Sequence, residues 1–349
     1  MTQTNTPKPQ TPWAVTIQQR LSTAGLITLG ALLAGVAVKT TGLSGKLGFA
    51  AAFFFISTVL IFIQQLRLRD LAAAKDSLLS SLASLAIVLT LIPILSIVAT
   101  VVSKGYKGIH FGMFTNDMTM ASVNDPVNAG GLLHALVGTI LMVGGALLFS
   151  FPIGLLTALY LTEIKGPGSK FIQFTVQAMS GVPSVVAGLF IFAAIILATP
   201  LKASGIDGAF ALSILMVPTV TRTAQEVLLL VPNDLREAGL AMGATQWKTV
   251  ALVVVPAARS GLITATILGV ARIAGETAPL LFTVGVFDSC NFNPFKGDQG
   301  SIPTVVWAGL LGGTPESIQR AWSAILVLLI VVLIMFVLAR AFGAKSPKK

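Results

Sequence analysis

Apolar residues recur along this chain in eight long stretches, at about 21–38, 47–63, 79–102, 132–161, 177–199, 208–228, 261–283 and 322–342. A helix needs roughly 17 or more such residues to cross a bilayer. The first two runs sit near that minimum. The fourth exceeds it and must tilt, kink at Pro152 or project from the membrane. Pro93, Pro152, Pro183 and Pro218 all fall inside these runs. Proline is tolerated there because neighbouring helices and side chains satisfy the backbone groups it frees. Between and around the runs lie polar segments: a flexible tail over 1–20, a charged linker over 64–78 with Arg67, Arg69 and Lys75, and a basic tail over 343–349. The pattern predicts an all-α membrane protein with a hairpin over 21–63 and six further spans over 79–342. A signal peptide at 21–38 fits less well, because the run is long and Gly35-Val36-Ala37 is a weak cleavage site.

Composition strengthens this picture. Hydrophobic residues make up 54% of the chain and charged residues 10%, against roughly 25% charged in a soluble domain. So little charge cannot cover a water-facing surface.

The net charge of +10 fits a membrane protein with Lys and Arg concentrated on its cytoplasmic side. No basic stripe with interleaved aromatics is present, which excludes nucleic acid as a partner. With eight spans and both termini inside, the predicted cytoplasmic segments hold Arg67, Arg69, Lys75, Lys165, Lys170, Arg236, Lys248, Arg259 and the terminal basic residues. The outer segments hold Lys39, Lys46, Lys104, Lys107, Lys202, Lys296 and Arg320. That bias, roughly two to one, predicts cytoplasmic termini.

Cys290 is the single cysteine, and His110 and His134 stand apart in the chain. There is no disulfide, no metal-ligand spacing and no catalytic nucleophile–base set. No G-x-x-x-x-G-K-[ST] sequence occurs, so any ATPase is a separate chain.

Four charges interrupt the apolar runs: Arg222 and Glu226 in the fourth core span, and Arg272 and Glu276 in the fifth. Charges at bilayer depth cost about 2.5–3.5 kcal/mol on insertion scales and usually face a protein interior or a polar path. Each Arg and Glu are four apart, a helical spacing that lets them pair. They are therefore either self-neutralised couples or groups lining an anion path. The planar guanidinium fork suits a tetrahedral oxyanion. Arg272, near the middle of its run, is the stronger choice for such contact.

Between those two spans, 233–256 reads NDLREAGLAMGATQWKTVALVVVP. It is amphipathic at helical spacing, with Asp234 placed to cap its start and Gly243 placed to turn between two short helices. It is either a helix lying on the bilayer or a docking helix for a soluble partner. Glu237-Ala238-Gly239, then Gly243, then Val253-x-Val255-Pro256, resembles the E-A-A loop of ABC-importer permeases. It departs from that pattern at Gly239, where alanine is usual, and at Val253 and Val255, where isoleucine and leucine are usual.

Further segments narrow the resemblance. Residues 271–283 (ARIAGETAPLLFT) resemble a signature of phosphate-importer permeases, and so do Gly181–Phe190, Arg222-Thr223, and Pro152-Ile153-Gly154 leading to Tyr160-Leu161-Thr162-Glu163. The resemblance covers about residues 79–342. It implies a six-helix type I ABC-importer permease core, to which 21–63 is an addition. It also implies that Arg222, Arg272 and Glu276 face the substrate, with Glu226 beside them, and that Glu237, Ala238, Gly239, Gly243 and Pro256 belong to the ATPase-coupling loop.

The implied partners are a second permease, two ATP-binding subunits carrying ATP and magnesium, and an extracytoplasmic phosphate-binding protein. The implied location is a prokaryotic plasma membrane. Permeases for sulfate, molybdate or phosphonate, and ion-coupled secondary anion transporters, are the competing readings.

Overall fold

The computed structural model describes residues 17–41, 45–122, 125–199 and 203–343. Most of the predicted N-terminal tail and basic C-terminal tail, together with Lys202, lie outside them. Every regular element among the described residues is helical. The chain divides into two compact units, Met1–Val98 and Ala99–Lys349.

In the first unit, α1 (Ile17–Thr40) packs on α2 (Lys46–Leu68). Gly45 turns the chain between them at φ 96°, a conformation that favours glycine. Ala34 is fully buried at the contact, and Gly30 lets the backbones approach: a Cβ there would lie 3.2 Å from Ser57 Cα. Small residues at such crossings permit close packing between membrane helices.

α3 (Leu71–Gly105) follows at once. Helix therefore runs through most of 64–78, leaving only Arg69 and Asp70 between α2 and α3. Asp70 explains the break, because its carboxylate accepts from Ala73 N at 2.7 Å and caps α3. Ile87, Leu91 and Leu95 are exposed on α3, as lipid-facing positions are.

In the second unit, α4 (Leu133–Leu159) continues through a π-helical turn, Tyr160–Ile164. Next come α5 (Ser169–Ser180) and α6 (Ser184–Ile191), the latter extended by a π-turn to Ile196. α7 (Gly205–Leu229) leads to α8 (Asn233–Ala241) and α9 (Gln246–Thr249). Then follow α10 (Val255–Ala274), α11 (Ala278–Thr283), α12 (Ile302–Gly312) and α13 (Pro315–Gly343). The packing centres on α7. Met142, Val143 and Ala146 of α4, Leu212, Leu215, Met216 and Val220 of α7, and Val270 and Ile273 of α10 form one buried core. Gly154 of α4 and Gly269 of α10 both meet Val220, so glycine brings α4 and α10 close to α7.

Among the described residues six helices are long and apolar enough to cross a membrane, and eight segments qualify if two bent pairs each count once. All eight predicted runs have a counterpart, but two differ in form. The 177–199 run is not one helix: α5 and α6 meet at 102°. Gly181 and Pro183 cause this, since Pro183 starts α6 rather than sitting inside a span. The 261–283 run also breaks, at Gly275, between α10 and α11. Its first part instead extends backwards as continuous helix from Gln246. A π-turn over Val250–Val254 joins α9 to α10. Pro256 just beyond it has no N–H to give Leu252 and its ring crowds that carbonyl, which accounts for the wider turn.

α12 went unrecognised in the sequence. Eleven residues rise only about 16 Å, too short to span.

Candidate functional site

The charged residues of the fourth and fifth core spans do not pair along their helices. The single ion pair among the described residues lies elsewhere, between Glu163 and Arg236. The reason is clearest for Arg272 and Glu276. α10 ends at Ala274, so Glu276 sits on the turn beyond it and helical spacing no longer applies. Arg272 occupies the last turn of α10, where the helix dipole favours a cation. Its side chain is exposed and donates from Nη1 to Thr219 Oγ1 of α7 at 3.1 Å. Thr219 donates in turn to Leu215 O at 3.2 Å.

Arg222 and Glu226 lie on α7, one and two turns beyond Thr219, both exposed. Between them in sequence, Gln225 receives support from α5: its Nε2 donates to Gln173 Oε1 at 3.1 Å. Polar side chains thus tie α5 to α7 and α10 to α7, and neither Arg222 nor Arg272 has an ion-pair partner among the described residues. Thr219 and Gln173 were not legible as site residues, because a single Thr or Gln in an apolar run carries no spacing signal.

The predicted docking loop forms two short helices with Gly243 between them at φ 79°, as its sequence suggested. α8 turns 75° away from α7. Asp234 does not cap it. Pro232 occupies the N-cap position and Asp234 lies in the first turn, where its charge suits the helix dipole. Glu237, Ala238, Gly243 and Pro256 are exposed, and Gly239 is half-buried. Met242 and Trp247 also stand exposed, at 88% and 62%.

Gly239 has a local reason. A Cβ at this position would meet Thr249 Cγ2 at 2.6 Å and Oγ1 at 3.0 Å.

Arg236 anchors this loop. Its Nε and Nη2 donate to Glu163 Oε2 and Oε1 at 2.9 and 2.8 Å, a bidentate pair. Nη1 also donates to Val231 O at 2.6 Å and Nη2 to Leu228 O at 2.8 Å. Hydrogen bonding to Glu163 holds the guanidinium above its ordinary pKa. Gln246 adds a tie, its Nε2 donating to Glu163 O at 2.6 Å. Glu163 and Arg236 are 73 residues apart, so no local pattern joins them. Each was visible in the sequence only as a polar residue in a motif or on an amphipathic face.

Among the described residues no group of three or more His, Cys, Asp or Glu could hold a metal ion.

Comparison with known proteins identifies the family of the chain. Residues 150–346 match the family described as binding-protein-dependent transport system inner membrane component. The chain is 37% identical over 260 residues to the phosphate transport system permease protein PstA 1 of Mycobacterium tuberculosis (strain CDC 1551 / Oshkosh), covering 74% of this chain and 85% of that one. It is 34% identical over 278 residues to the phosphate transport system permease protein PstA of Pasteurella multocida, covering 78% of this chain and 96% of that one. A crystal structure of a bacterial ABC transporter involved in the import of the acidic polysaccharide alginate shares the fold, with a TM-score of 0.55 at 16% identity over 78% of this chain and 97% of that one. The chain is an all-α ABC-importer permease with an added N-terminal hairpin, and it belongs to the binding-protein-dependent transport permeases as a PstA-like member.

Proposed function

We propose that this chain forms, with a homologous partner permease, the path by which inorganic phosphate crosses a prokaryotic plasma membrane in an ATP-driven importer. Arg272 carries the proposal. It is exposed on the last turn of α10, held towards α7 by Thr219, and has no ion-pair partner among the described residues. A guanidinium in that state can give paired hydrogen bonds to an oxyanion and stays charged at any working pH. Arg222 supplies a second positive charge on α7. Glu276 and Glu226 keep the path from holding the anion too tightly, which transport requires. The names of the relatives support phosphate as the anion.

ATP and magnesium belong to two separate ATP-binding subunits, and an extracytoplasmic phosphate-binding protein delivers the substrate. α8 and α9, with Glu237, Ala238, Gly239, Gly243 and Pro256, form the surface on which an ATPase subunit docks. Both termini are cytoplasmic. Closure of the ATPases moves α8, and α7 and α10, on either side of it, move the anion-facing arginines.

The test is Arg272→Gln in cells and in the purified complex. The complex is expected to assemble, and phosphate uptake is expected to fall more than tenfold, since a hydrogen bond to a charged group is worth about 1.5–3 kcal/mol. Undiminished uptake would show that Arg272 is structural.

A further inference from the structure

The docking loop is tied to more than the two helices it joins in sequence. Arg236 on α8 reaches back to three separate places: the carboxylate of Glu163 beyond α4, and the Leu228 and Val231 carbonyls at the end of α7. The Glu163 side chain is 6% exposed and that of Arg236 is 20%. A pair so shielded is weakly screened by salt and strongly directional. Gln246, at the start of α9, holds the main chain of Glu163 as well. Glu163 itself lies in the π-turn that ends α4, just before Lys165 in a left-handed conformation at φ 52°. This makes the end of α4 a defined knuckle gripped from both halves of the docking loop. α4 is also the helix packed most extensively along α7, through Met142, Ala146 and Ala158.

We infer that Glu163 and Arg236 are positioning residues that couple the docking loop to α4, so that a force on α8 moves α4 and α7 as one body. The inference rests on the reading of α8 and α9 as the ATPase-docking surface. With the pair intact, displacement of α8 is transmitted through rigid bidentate geometry. Without it, α8 is joined to the bundle through Leu230–Pro232, which connect it to α7, and through its packing on Thr249 of α9, and no side chain of α8 carries a push directly to the end of α4.

The experiment uses the whole importer in vesicles, with ATP hydrolysis and phosphate uptake measured together. Glu163→Gln keeps the shape of the side chain and the Glu163 carbonyl that Gln246 uses, and it removes the charge. The complex is expected to assemble and hydrolyse ATP, while phosphate moved per ATP falls about tenfold, the loss that matches one charge-assisted hydrogen bond. Arg236→Lys, which keeps the charge without the fork, is expected to fall between Glu163→Gln and the unaltered chain. A purely stabilising pair would lower the amount of complex and leave phosphate per ATP unchanged, and that result overturns the inference. If Glu163→Gln fails to assemble, Arg236→Lys decides, because it keeps a charge opposite Glu163 and removes the bidentate fork. A lowered ratio supports coupling through α4, and an unaltered ratio overturns it. Glu237→Lys, run in parallel, separates the two levels of argument. If it uncouples while Glu163→Gln does not, the clamp alone is wrong. If neither uncouples, α8 is not the docking surface.

Discussion

Gly239 shows how a single atom sets the packing of α8 on α9. Residue 239 of α8 faces Thr249 of α9, and the space between them accommodates no Cβ. Thr249 is 3% exposed, and its hydroxyl is buried without a hydrogen-bond partner. The departure of this chain from the usual alanine is therefore matched by the residue opposite. Gly239→Ala is expected to destabilise the loop by about 1–3 kcal/mol, as overpacking does. Thr249→Ala in the same chain should cancel most of that loss. Thermal melting of the purified complex, read as a double-mutant cycle, checks it. Additive effects of the two changes would show that the contact does not set residue 239.

At the scale of elements, two motifs far apart in sequence meet where spans break. Gly188 lies on α6, after the break at Pro183, and Pro279 lies in the first turn of α11, after the break at Gly275. A Cβ on Gly188 would sit 2.6 Å from Pro279 Cα and 2.8 Å from its carbonyl oxygen. Backbone cannot yield as a side-chain tip can. Gly188→Ala is therefore expected to cost about 1–3 kcal/mol or more and to reduce the yield of assembled complex. Gly144→Ala on α4, where nothing lies within 4 Å of the added carbon, is the matched control and should be tolerated. Equal yields from both would discount the α6–α11 contact. Glycine and proline marked the broken spans in the sequence. Their effect could not be read there, because a proline in an apolar run can either kink a continuous helix, as Pro218 is placed to do in α7, or start a new one.

For the whole molecule, part of this chain has no counterpart in its relatives. The Pasteurella multocida protein is matched over 96% of its length by 78% of this chain, leaving about a fifth of this chain without a counterpart there. A chain beginning at Leu71 is accordingly expected to assemble with its partners and support phosphate uptake. Loss of assembly, seen as failure of the ATP-binding subunits to copurify, would make α1 and α2 integral to the complex.

The sequence by itself determined the class of fold and where the apolar segments lie, because lipid imposes a length and a hydrophobicity on every span. It also marked Arg222, Arg272 and the paired short helices around Gly243, since charges in apolar runs and glycine at a turn have few physical explanations. Only the tertiary structure decided which charges pair. Spacing of four suggested Arg272 with Glu276, but the helix ends between them. The pair that forms, Glu163 with Arg236, depends on α8 folding back beside the end of α4. A side chain's partner is set by the path of the backbone around it, and that path bends at places the hydrophobic pattern does not register.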